Sequence, residues 1–210
     1  MIHLKTLITA FMVSFVILPA KAQDCSPKMA EYKAGCQNML DGIANKDKYA
    51  LYEAKEDFNK VSIETIEPKC KEGTQAEGKA KILFCTEFAD SLIKHNFIAN
   101  DLDDIAIMRN NDDSDLLVFH RSIAAKSTLC YEWEGSDRCE LLLVTQNGEN
   151  ITVTVTDKSS GKQYTAKPDA KGNMNYVSWN MGTAEGTYSI RIENPTPRPI
   201  FVWLWRRRYD

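Results

Sequence analysis

Thiols, clustered carboxylates, imidazoles and aromatics are the groups with which this chain could do chemistry. The six cysteines are Cys25, Cys36, Cys70, Cys85, Cys130 and Cys139. No two stand at zinc-ligand spacing and no C-x-x-C pair occurs, so neither a metal nor a redox role is expected. An even number of cysteines in an exported chain reads instead as disulfides. Cys130 and Cys139 flank a short loop holding Gly135-Ser136 and are expected to pair. That leaves Cys25–Cys70 with Cys36–Cys85, or Cys25–Cys85 with Cys36–Cys70, for the others. The carboxylates Asp101, Asp103, Asp104, Asp112, Asp113 and Asp115 cluster as calcium ligands do. The EF-hand spacing fails, however: no Gly follows at the sixth position, and position twelve from Asn111 is Ser122. Solvated acidic loops are the expectation, with no metal and no cofactor.

His120 beside Arg121 and His95 beside Lys94 lack a nucleophile to activate, because oxidised cysteines supply none and no G-x-S-x-G occurs. No enzyme is expected on these grounds. The aromatics Trp133, Trp179, Trp203, Trp205, Tyr131 and Tyr176 have two readings: a stacking platform for a glycan, or alternating core positions of strands. Arg206-Arg207-Arg208 is a basic stretch after an apolar strand, which blunts edge pairing. Asn150-Ile151-Thr152 is an N-glycosylation sequon, relevant in a eukaryotic host. A net charge of -3 gives no electrostatic case for nucleic acid.

Those groups must be positioned by elements, and the N-terminus says where. Lys5, the apolar run from Leu7 to Leu18, Pro19 and the triplet Ala20-Lys21-Ala22 have the form of a secretory signal peptide cleaved after Ala22. The mature chain then begins at Gln23, with no further run of spanning length, in the periplasm or outside the cell. From there the pattern is helical. Met29, Tyr32, Cys36, Met39 and Ile43 form one stripe. Leu51, Ala54, Phe58, Val61 and Thr65 form a second, stopped by Pro68. Ile82, Cys85, Ala89 and Leu92 form a third behind the capping box Thr74–Glu77. After Asp104 the period becomes two, with strands expected at 105–108, 116–120, 140–145, 151–156, 163–166, 175–181, 187–193 and 200–206. Asn147-Gly148 is the strongest hairpin signal. The last strand is apolar on both faces: Ile200, Val202 and Leu204 on one, Phe201, Trp203 and Trp205 on the other. Something must cover the second face: the helices, a partner or a ligand.

Residues 128–206 carry a further pattern. It comprises Cys130-Tyr131-Glu132, the run from Glu140 to Thr145, Gln146-Asn147-Gly148, the alternating run Ile151 to Asp157, and Gly186-Thr187-Tyr188-Ser189-Ile190-Arg191-Ile192-Glu193-Asn194. This resembles the β-sandwich layout of GOLD domains and of bacterial pre-peptidase C-terminal domains. The resemblance implies a non-catalytic module of the kind used in protein interaction or as an appendage to secreted enzymes. It supplies no catalytic residues.

The expected architecture is therefore α+β in two domains. A signal peptide at 1–22 precedes a disulfide-stapled three-helix bundle at 23–99 and an antiparallel β-sandwich, jelly-roll or GOLD-like, at 100–210. The expected function is an exported, non-catalytic interaction module that engages a protein partner. The alternative is glycan binding by exposed aromatics. Candidate binding residues are Phe201, Trp203, Trp205, Trp179 and Trp133.

Overall fold

The computed structural model describes residues 25–65, 70–73, 81–98, 115–135, 138–146, 151–169, 172–180 and 186–207. Several expectations lie outside the described residues: the leader, the domain boundary at 99/100, the box at 74–77, the strand at 105–108, Asn150, Arg208 and every clustered acid except Asp115.

Two helices open the chain, α1 (Pro27–Asn45) and α2 (Lys48–Asn59). Pro27 suits the first turn of α1, where its missing N–H costs nothing. Lys46 ends that helix in the left-handed region at φ 53. Asp47 then caps α2, its Oδ1 accepting from the backbone N–H of Tyr49 at 2.9 Å. Two glycines set the approach of α1 to α2. A Cβ on Gly35 would lie 2.8 Å from the Phe58 ring, and one on Gly42 2.8 Å from Leu51 Cδ2. The third helix, α3 (Thr86–Lys94), has Cys85 at its N-cap position.

The strands are β1 (Ile63–Thr65), β2 (Cys70–Gly73), β3 (Leu116–Ile123), β4 (Ser127–Gly135), β5 (Arg138–Thr145), β6 (Thr152–Asp157), β7 (Gln163–Pro168), β8 (Met174–Asn180), β9 (Gly186–Asn194) and β10 (Ile200–Arg207). Among the described residues they hydrogen-bond in the order β1-β3-β10-β5-β8-β7-β6-β9-β4-β2. The array folds over on itself at β7, which pairs with β6 through most of its length and with β8 through Lys167 and Pro168. The result is a middle sheet (β1, β3, β10, β5, β8) facing an outer sheet (β6, β9, β4, β2). On the opposite side β1 edges the middle sheet and β2 edges the outer one. Both edges thus carry a short strand, which limits edge-to-edge pairing.

Three layers follow, with two cores. Between the sheets lie Phe119, Leu129, Tyr131, Leu141, Leu143, Val153, Val155, Ile190, Ile192, Val202 and Leu204. Between the middle sheet and the helices lie Met29, Tyr32, Cys36, Leu51, Phe58, Phe84, Phe88, Val118, Leu142, Val144, Trp203 and Trp205. Period-two alternation sends successive side chains of β10 into different cores. The doubly apolar last strand is covered on one side by a sheet and on the other by helices. Strand β5 is buried over Cys139–Thr145 for the same reason.

The chain is α+β, but it is not a disulfide-stapled bundle followed by a sandwich. The helices build their core on the outer face of the middle sheet rather than around one another. Cys25, Cys36 and Cys85 remain thiols. Cys25 lies by Tyr176 and Glu140 on the helix side of the middle sheet. Cys70 belongs to β2, an edge strand of the outer sheet, so the two stand in different layers. Cys36 and Cys85 are spent as small hydrophobic side chains in the helical core. Cys130 and Cys139 do not bridge either. Leu129 and Tyr131 fill the inter-sheet core, so Cys130 between them points out of the sandwich, whereas Cys139 points into it. Nearness in sequence misled here because β4 and β5 belong to opposite sheets. The turn expected at Asn147-Gly148 lies outside the described residues, but the strands on either side do not pair with each other: β5 pairs with β10 and β8, and β6 with β7 and β9. Finally, α2 stops at Asn59. Past it Ile63–Thr65, with two β-branched residues of three, forms β1 instead of prolonging the helix.

Candidate functional site

The tryptophans singled out by sequence are buried. Trp203 and Trp205 stack at 5.8 Å beneath the helices. Phe84 meets both edge-on, at 5.8 and 5.7 Å, and Tyr32 lies 5.1 Å from Trp205. Trp179 and Trp133 flank Tyr188 between the sheets, at 5.0 and 6.5 Å. Phe201 is half-buried, its ring stacked on His120 at 5.5 Å. A sugar ring needs an open aromatic face, and the four tryptophans present none. Arg206 is likewise turned inward, its guanidinium 4.9 Å over the Trp133 ring and donating to the Glu134 carbonyl at 3.0 Å.

Among the described residues, Cys25, Cys36, Cys85 and His120 are taken up in packing contacts. Burial pushes the Cys25 thiol up to about 11 and the Cys85 thiol up to about 12, and it raises Cys36 as well. A thiol in that range is protonated at neutral pH and is a poor nucleophile. His120 lies against aromatic rings, 4.6 Å from Trp203 and 5.5 Å from Phe201. His95 is the C-cap residue of α3 and is exposed, its backbone N–H donating to the Ser91 carbonyl at 2.9 Å. Asp115 fastens the loop before β3 to the chain after α2, accepting from the Ser62 backbone at 2.9 Å.

Sequence reasoning missed one buried carboxylate. Glu140 on β5 is 1% exposed. Its Oε1 accepts from the Ser26 backbone N–H at 2.9 Å and from the Tyr176 hydroxyl at 3.1 Å, and Arg138 Nη2 stands 3.1 Å away. Ser26 is the N-cap residue of α1, yet its own side chain makes no capping bond. Glu140 therefore does from a distant strand what the third-position glutamate of a capping box does locally. It ties the start of α1 to the sheet. The signal was an acid opening an otherwise apolar run.

One face is left open. Tyr49 is 83% exposed and Tyr52 50%, on the side of α2 opposite the buried Leu51, Ala54 and Phe58. Exposed Glu53 and Glu56 share that side, and Lys48 stands at its border. The backing is rigid. Gly35 and Gly42 seat Phe58 and Leu51 against α1, and Lys55 bonds Asp90 of α3 at 2.8 Å, with Lys94 on the other oxygen. Those two ammonium groups hold the Asp90 carboxyl below its ordinary range. Sequence reading gave these tyrosines no role, since the stripe it followed was the buried one.

No family model matches the sequence and no curated protein matches it. Solved structures do. PliG of Aeromonas hydrophila, a periplasmic inhibitor of g-type lysozyme, is 10% identical, with a TM-score of 0.36 over 48% of this chain and 91% of its own. The pre-peptidase C-terminal domain of a Bacillus anthracis collagenase is 10% identical, with a TM-score of 0.29 over 45% of this chain and 79% of its own. The Yersinia pseudotuberculosis-derived mitogen is 10% identical, with a TM-score of 0.36 over 46% and 87%. Each of these alignments spans about half of this chain.

Proposed function

We propose that this chain is an exported, non-catalytic module that binds a protein partner through the outer face of α2. One observation carries the reading: two tyrosines stand open on a helix whose opposite side is locked into the core. Isolated exposed apolar side chains need no explanation. Two aromatics on one rigid face are a different case, because they offer contact area at low entropic cost. Among the described residues, the large hydrophobic side chains left exposed are Tyr49, Tyr52 and Ile98. The N-terminal pattern of a basic start, an apolar run and Ala20-Lys21-Ala22 supports export. Among the described residues no helix is long and apolar enough to cross a membrane.

The test is capture from host envelope extract, with the bound species identified by mass spectrometry, beside a Tyr49→Ala/Tyr52→Ala variant. One defined protein retained by the parent and lost by the variant, at unchanged melting temperature, is the expected result. Equal retention by both proteins, or polysaccharide as the captured species, overturns it.

A further inference from the structure

We infer that the partner presents two neighbouring arginine or lysine side chains to α2, each seated on a tyrosine ring and closed by a glutamate one turn on. This rests on the protein-binding reading and adds the partner's chemistry. The face repeats one unit. Tyr49 is followed at i+4 by Glu53, and Tyr52 at i+4 by Glu56. On a helix such residues lie one above the other, roughly 5–6 Å apart at Cβ. A phenol ring attracts a cation over its face, and a carboxylate beside it takes the N–H donors. A basic side chain lying along the helix meets both at once.

The carboxylates are available for this. Nearby charges are already matched: Asp57 holds Lys60 at 2.8 Å, and Asp90 holds Lys55 at 2.8 Å. Among the described residues Glu53 and Glu56 make no ion pair within 4.0 Å, Glu56 acting on Lys55 and Lys60 only at longer range, and both are exposed. Among the described residues, Lys48 borders the face and Lys60, one turn past Glu56, is tied to Asp57 at 2.8 Å, so Glu53 and Glu56 stand there against one base not held by another carboxylate. The charge of the whole chain has the same sign, -3. An acidic partner surface meets like charge at this face, which selects against it.

The experiment titrates the isotope-labelled chain with a tetra-arginine peptide and follows backbone amide shifts. Saturable shifts confined to about residues 48–57 are expected, with none from a tetra-glutamine peptide. Glu53→Lys/Glu56→Lys should weaken the peptide at least about tenfold, as opposed charge becomes like charge. Raising the ionic strength to about 1 M, where the Debye length is about 3 Å, should erase the shifts. Tyr49→Phe/Tyr52→Phe keeps both rings and should bind as the parent does. All these positions are exposed, and circular dichroism checks each variant's fold. Absent shifts, shifts spread over other acidic regions, or indifference to the Glu→Lys change overturns the inference. The two readings fail separately. If Tyr49→Ala/Tyr52→Ala loses a captured protein while the peptide leaves α2 unmoved, protein binding stands and cation recognition falls. If the peptide binds at α2 but capture ignores the tyrosines, the binding reading fails.

Discussion

Trp203 and Trp205 on β10 and Tyr49 and Tyr52 on α2 are two aromatic pairs, each spaced to share one side of its element. One pair lies sealed beneath Phe84 and Tyr32, whereas the other stands in water. Residue type does not explain the difference, since both pairs mix an apolar ring with a polar tip. The covering layer does. Strand β10 sits mid-sheet with material on both sides, so its rings become core. Helix α2 belongs to the outermost layer, so whatever its outer arc carries is shown. In this molecule an aromatic pair is structural or recognitive according to the layer it occupies.

Trp205→Ala puts most strain on that contrast. Removing a buried tryptophan should cost about 3–5 kcal/mol in urea denaturation, while Tyr49→Ala and Tyr52→Ala should each stay within about 0.5 kcal/mol. Comparable losses at both sites would erase the distinction. Glu140→Ala comes next, since it detaches the helical layer from the sheet at one point. Loss of an acceptor shared by Ser26, Tyr176 and Arg138 should cost about 2–3 kcal/mol in the same assay. Tryptophan emission should shift to the red if Trp203 and Trp205 gain water as α1 loosens. A fully native spectrum and midpoint would mean that α1 is held by its apolar face alone.

The finest test is alkaline. Burial lifts the Tyr188 phenol up to about 12 and raises Tyr32 and Tyr176 as well. An unfolded phenol ionises near 10, so above that pH the unfolded chain sheds protons that the folded chain keeps. The stability these phenols contribute is therefore fully present below about pH 10 and falls as pH rises toward about 12, adding to the earlier loss from the raised thiols of Cys25, Cys36 and Cys85. The slope is at most about 1.4 kcal/mol per pH unit for each such group. Tyr188→Phe should flatten the fall in urea midpoint across that window.

Much of this arrangement was legible in the chain. The stripe Met29, Tyr32, Cys36, Met39 is buried as its spacing requires, and so is Leu51, Ala54, Phe58. The two-sided apolarity of Ile200–Trp205 demanded cover on both sides, with the helices one of the possible covers. The cysteines were opaque because composition and spacing carry no information about layers. Cys130 and Cys139 lie nine positions apart yet occupy different sheets, one pointing out and one in. Asn147-Gly148 offered a local turn where the fold instead sends β6 to the other sheet. The missed features share a cause. Glu140 is capped to a helix start 114 residues away, and Tyr49 is defined by what does not lie above it. Neither relation has a period, so pattern reading passes over both.

The place of β10 has a consequence in time. It lies between β3 and β5, contributes to both cores, and follows every other described strand. Neither core can close around it until residues up to about Arg207 have been delivered. A chain emerging from its N-terminus would carry its helices and hairpins open, with the seam at β3 and β5 unfilled. Long-range pairing of this kind makes folding slow. Late closure of this kind keeps the chain open until its last described strand is available to fill the seam.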